Sequence, residues 1–149
     1  MADGTLLATV ADVRAVALPK HQAETGTLVV LEGDGLVPFS IARVFVVQTS
    51  PGAVRGQHAH KRCTQFFICT SGAVDVHCDD GVANQVFRLS VPEQGLLIPP
   101  GIWAEEHYRE AGTVLMVLCD LPYDKDDYVR DRQEFLAYRR AIGQDTKGT

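Results

Sequence analysis

Residues 52–72 read GAVRGQHAHKRCTQFFICTSG, and the punctuation of this stretch decides the fold. Ser50-Pro51-Gly52 before it and Ser71-Gly72 at its end supply the fixed or positive φ that tight turns require. Between those turns His58-Ala59-His60 alternates, and Gln65 to Thr70 is a short β-rich run. Successive side chains on a strand point to opposite faces, so His58 and His60 share one face, which in a small barrel can be the inside. A lone histidine is commonly structural. Two at this spacing beside Gly56 and Gly72 point to function.

Outward from this stretch the pattern repeats. Leu28 to Leu31, Ala42 to Val47, Ala73 to Cys78, Gln85 to Leu89, Gly95 to Ile98 and Val114 to Cys119 all read as strands. Gly33-Asp34-Gly35, Asp79-Asp80-Gly81 and Pro99-Pro100-Gly101 separate them, and Asp80-Gly81 between two alternating runs is a hairpin signal. Only residues 130–142 carry a helical pattern, with Phe135, Leu136 and Ile142 toward a core and Arg132, Glu134, Arg139 and Arg140 left for solvent. These runs predict an all-β sandwich or barrel with a short C-terminal helix. The chain reads as one domain, 1–149, with its core at about 25–140 and with the first seven and last six residues frayed.

Composition narrows the function classes. Apolar residues make up 46% and charged residues 22%, ordinary usage for a domain with a core of its own. A net charge of -5, spread along the chain, disfavours nucleic acid as a partner. The start, Met1 to Val10, has no basic residue, and no run of about 18 apolar residues occurs, so neither a secretion signal nor a membrane span is expected. Cys63, Cys69, Cys78 and Cys119 lack CxxC spacing and read as buried free thiols, which fits a cytoplasmic protein.

The Gly52, His58, His60, Gln65 and Gly72 spacing resembles the first motif of the cupin superfamily, and Gly95 to Gly101 resembles a shortened second motif. That resemblance implies an RmlC-like jelly-roll barrel. Where the superfamily places a metal-binding glutamate and a third histidine, this chain has Gln65 and Ala104. A metal centre wants three or four good donors, so the cluster reads as metal-independent, although His107 follows closely enough to replace the missing ligand. Without a metal, two imidazoles with pKa values near 6.5 are suited to acid–base chemistry.

A closer likeness runs through Arg55 to Lys61, Gln65, Asp79-Asp80-Gly81, Trp103 with Glu105 and His107, Tyr123-Asp124 and Asp127 to Arg130. In this order the segments resemble the WxcM-like sugar nucleotide 3,4-ketoisomerases. The resemblance implies a homodimer acting on dTDP-4-keto-6-deoxyglucose with no metal and no other cofactor. By position it implies His58 as principal acid/base with His60 as its partner, and Arg43, Arg55 and Lys61 toward the diphosphate. It leaves Gln65, Trp103, Glu105, His107 and Tyr123 as further substrate contacts. The chain departs from the family at Thr25, at Phe45 and Val46 where two tyrosines are common, and at Ala104. These departures keep two other readings open: a catalytically silent protein that binds a nucleotide sugar, and a metal-dependent cupin.

Overall fold

Alternation of inward apolar and outward polar residues lays down two antiparallel sheets in the computed structural model, which describes residues 7–145. The strands are β1 (Arg14–Ala17), β2 (Lys20–Ala23), β3 (Gly26–Val29), β4 (Arg43–Gln48), β5 (Val54–His60) and β6 (Gln65–Ser71). They continue as β7 (Val74–Asp79), β8 (Asn84–Leu89), β9 (Gln94–Ile98), β10 (Trp103–Tyr108), β11 (Val114–Cys119) and β12 (Tyr128–Val129), and helix α1 (Arg132–Asp145) follows. One sheet runs β1-β9-β6-β11-β4 and the other β12-β5-β10-β7-β8, while β2 and β3 form a separate hairpin. The expected all-β barrel with a C-terminal helix is the architecture observed.

Between the sheets lies one apolar interior. Phe67 and Cys69 of β6, Leu115 and Val117 of β11, Val74 and Val76 of β7 and Ala104 and Tyr108 of β10 all belong to it. The odd-numbered residues of β6 and β11 point in. The even-numbered Phe66, Ile68 and Leu118 point out, into a second cluster closed by Leu18, Val37 and Leu97. The period-two pattern therefore buries both faces of the sheet centred on β6, which is why Gln65–Ser71 opens as a run of buried residues.

The hairpin read from Asp80-Gly81 joins β7 to β8 through residues 80–83. The Asp80 carboxylate accepts from the backbone N–H groups of Val82 (2.9 Å), Ala83 (2.8 Å) and Val10 (2.9 Å), so it closes the turn and anchors the chain start. All four cysteines are free and buried.

Two expectations are corrected at the helix. It starts at Arg132 because the Asp131 side chain accepts from the Glu134 N–H at 2.9 Å and caps the first turn, and its backbone continues past Ile142 to Asp145. Residues 1–6 and 146–149, where fraying was expected, lie outside the described residues. Arg132 and Arg139 are not left to solvent: Arg132 donates to Asp79 (2.8 Å) and Arg139 to the Gly101 carbonyl (2.7 Å). Phe135 is buried against Ala59, Trp103 and Val129, so the helix covers the outer face of β5 and β10 and fixes them from behind.

Candidate active site

The site begins with an irregularity in β5. Against β10, Arg55 pairs with Glu106, Gly56 with Glu105 and His58 with Ala104, leaving Gln57 as an extra residue. Gln57 has φ 58° and Gly56 φ 79°, the left-handed region, and together they form a β-bulge. Ala104 and Glu106 share the inner face of β10, so their partners His58 and Arg55 also share it. An uninterrupted strand would send Arg55 and His58 to opposite faces. Gly56 is required here, because a Cβ would sit 2.9 Å from the Ala104 carbonyl oxygen and inside the Glu106 carboxylate.

Beyond the bulge His58 and His60 both face inward, with ring centroids 5.1 Å apart and planes at 87°. Nδ1 of His60 lies 2.9 Å from Oδ2 of Asp127, and Nδ1 of His58 lies 3.0 Å from the Gly56 carbonyl oxygen. Both acceptors fix the proton on Nδ1, so each neutral ring turns an Nε2 lone pair away from its support. Nε2 of His60 is buried and has no partner. Burial holds His60 below the usual histidine range, although its Asp127 carboxylate opposes this. Burial, with a contribution from His60, pushes His58 down to about 4. Both rings are therefore neutral near pH 7. Asp127 is fixed in turn: its Oδ1 accepts the Arg62 N–H at 2.7 Å, and its own carbonyl accepts the Lys61 N–H at 2.9 Å.

Polar side chains from β4, β11 and β12 surround the imidazoles. Tyr128 pairs with His60 across the β5–β12 ladder, and its ring lies 4.4 Å from His60 and 5.1 Å from His58. Nη2 of Arg43 donates to the Tyr128 hydroxyl at 3.1 Å and lies 3.6 Å from Sγ of Cys119. Partial burial works against the Arg43 charge, but these two partners more than restore it, and its pKa lies above the ordinary value. Hydrogen bonds from Cys63, Gln65 and Arg43 hold the Cys119 thiol below the usual thiol range. His60, Cys63 and Asp127 bring ligand-type atoms within 4.8 Å of one another, yet the imidazole and carboxylate of that group are already paired to each other.

The residues singled out from sequence divide into two sets. Arg43, Arg55, His58, His60 and Gln65 share the barrel interior or its mouth, and Tyr123 lies at the rim, 61% exposed, with its ring 5.7 Å from Tyr128. Trp103, Glu105 and His107 do not join them. They occupy the outer face of β10, where Trp103 stacks on Phe135 and donates to Glu105 (3.2 Å), and His107 stacks on His77 at 4.0 Å. Alternation puts Glu105 and His107 on one side of the strand, as expected, together with Trp103, but that side faces away from the barrel interior, and the helix covers it at Trp103. Lys61 follows the last inward histidine and lines an outer groove with Pro99, Pro100 and Tyr138. Sequence reasoning gave no role to Asp127, Tyr128, Arg130 or Glu106. Asp127, Tyr128 and Arg130 stand in a segment already noted for its likeness, whereas nothing in the local sequence marks Glu106.

A two-sheet antiparallel barrel with a histidine pair inside and a carboxylate behind one imidazole has the groups that acid–base chemistry needs, on a cupin-type scaffold. The family described as "FdtA: WxcM-like, C-terminal" matches residues 11–140, and the chain belongs to it. A TDP-4-oxo-6-deoxy-alpha-D-glucose-3,4-oxoisomerase of Aneurinibacillus thermoaerophilus is 37% identical over 124 residues, which cover 83% of this chain and 89% of that protein. A 3,4-ketoisomerase from Helicobacter canadensis superposes with TM-score 0.84 at 31% identity, covering 87% of this chain and 98% of its own. QdtA, a sugar 3,4-ketoisomerase from Thermoanaerobacterium thermosaccharolyticum solved in complex with TDP, gives TM-score 0.84 at 29% identity over 87% of this chain and 96% of its own.

Proposed function

We propose that the protein is a TDP-4-keto-6-deoxyglucose 3,4-ketoisomerase working by histidine acid–base catalysis. The observation that carries this reading is the buried, unpartnered Nε2 of His60, backed through Nδ1 by Asp127. A carboxylate behind an imidazole fixes its tautomer and stabilises the imidazolium that forms when the ring takes a proton. His60, rather than His58, is then the base, because His58 is backed only by a neutral carbonyl.

In the substrate C4 is a ketone and C3 carries a hydroxyl. Nε2 of His60 removes the proton from C3, the electrons form a C3–C4 double bond, and O4, now singly bonded, takes up a proton to give an enediol. Return of the proton to C4, with loss of the hydroxyl proton at O3, leaves the ketone at C3. The sugar is oxidised at C3 and reduced at C4 in equal measure, so the reaction needs no external electron carrier. His58, neutral and 5.1 Å from His60, orients the sugar hydroxyls. Arg55 and Arg130 serve the diphosphate, since the Arg43 guanidinium is already engaged by Tyr128 and Cys119. The TDP bound to QdtA supports a nucleotide-linked substrate.

A homodimer in the cytoplasm completes the proposal. The exposed β2–β3 hairpin and the exposed Val44 and Val46 on edge strand β4 are the surfaces for pairing, and light scattering that gives the mass of one chain would refute it. Among the described residues no helix is long and apolar enough to cross a membrane. To test the activity, the protein is incubated with TDP-4-keto-6-deoxyglucose and C3 and C4 are followed by NMR. A ketone signal moving from C4 to C3 is expected. Calorimetric binding without any new ketone would make the chain a silent binder instead.

A further inference from the structure

The isomerisation moves two protons: one from C3 to C4, and one from O3 to O4. His60 accounts for the first. The second needs a group that both donates and accepts, placed beside the same base. Tyr128 meets this description. Its ring lies 4.4 Å from His60, its hydroxyl accepts from Nη2 of Arg43 at 3.1 Å, and Arg130 stacks over it at 4.3 Å. Because Arg43 uses a lone pair of that oxygen, the phenolic proton remains free to be given away, and the guanidinium stabilises the phenolate left behind.

We propose that Tyr128 is the oxygen-side proton carrier of the reaction, an assignment that rests on the ketoisomerase reading above. As His60 takes the C3 proton, the Tyr128 hydroxyl protonates O4, which gives a neutral enediol, an Arg43-held phenolate and a His60 imidazolium paired with Asp127. The phenolate then removes the proton from O3 while the imidazolium returns its proton to C4. The C3 carbonyl forms, and both side chains end as they began. No bond to the protein forms, and no oxidant is consumed. Pairing with His60 across the β5–β12 ladder places the carbon-side and oxygen-side groups next to each other, as two adjacent reacting carbons require.

The ring of Phe45 offers a control, since the Arg43 guanidinium lies 5.2 Å from its centroid and a phenol at that position brings a second hydroxyl to the same guanidinium. Wild type, Tyr128→Phe and the double variant Phe45→Tyr with Tyr128→Phe are compared with TDP-4-keto-6-deoxyglucose in D2O, measuring deuterium at C3 of the recovered substrate and the rate of 3-keto product. Tyr128→Phe is expected to lose at least 100-fold in product rate while the ratio of exchange to product rises at least tenfold. The double variant recovers a tenfold or greater part of the loss. Equal falls in exchange and product, or an unimpaired Tyr128→Phe enzyme, would overturn the role of Tyr128 while leaving the ketoisomerase reading intact. A wild type that neither exchanges nor turns over would refute both.

Discussion

Nδ1 of His60 and Oδ2 of Asp127 stand 2.9 Å apart with both side chains almost wholly shielded from water. In the proposed reaction this pair singles out His60, of the two histidines in the barrel, as the base. Burial alone lowers the basicity of an imidazole; the carboxylate restores part of it and chooses which nitrogen faces the substrate.

Asp127→Asn should therefore lower kcat by about 10²- to 10⁴-fold, the range over which positioned acid–base groups act. The sign of the pH effect follows from the same pair. Asp127 raises the His60 pKa, so its removal lets burial lower that pKa further. The acid limb of kcat/KM, set by protonation of His60, should then move to lower pH in the variant. A pH–rate profile checks this, and an unmoved acid limb would detach Asp127 from the base.

His58→Asn and His60→Asn should separate in kind. His60→Asn abolishes turnover with substrate binding retained. His58→Asn raises KM and lowers kcat less, since its ring, held down at about 4, contributes orientation in the neutral form. Steady-state kinetics on both variants reads the split.

The part of this site legible in sequence is the part that obeys a simple period. Six β-rich runs became strands, the run from Leu28 to Leu31 did so only at Leu28 and Val29, and His58 with His60 shared an inner face. Alternation also grouped Glu105 with His107 correctly, but period two does not say which face is inside, and here Ala104 and Glu106 took the interior. Arg55 reached the site only through the bulge at Gln57, which a count of residues along a strand cannot show. Asp127 and Tyr128 stand 67 and 68 positions after His60, on a short turn and a two-residue strand, and only the closed ladder with β5 brings them in.

Gly56 tests the bulge itself. Gly56→Ala must hold φ 79° against the Ala104 carbonyl and the Glu106 carboxylate, and should cost at least about 2 kcal/mol of stability. Chemical denaturation measures it. A loss below about 0.5 kcal/mol would mean that the bulge relaxes without cost.

Glu106 predicts a pH-dependent stability. Burial pushes its carboxyl up to about 7, and one of its oxygens has no partner. The native state thus favours the protonated form: its stabilising effect is complete below about 4.5 and is lost as the pH rises through about 7. Glu106→Gln should match wild type at pH 4.5 and be more stable at pH 8.5, by up to about 3 kcal/mol. Thermal melts across this range decide it, and parallel curves for the two proteins would rule out a charge buried at Glu106.

The most direct test of the account is solvent exchange at C3. Wild type and His60→Asn are each saturated with TDP-4-keto-6-deoxyglucose in D2O, and deuterium at C3 is followed by NMR. Exchange and conversion are expected with wild type, and a loss of at least 1,000-fold in exchange with His60→Asn. Exchange at the wild-type rate in His60→Asn would contradict it.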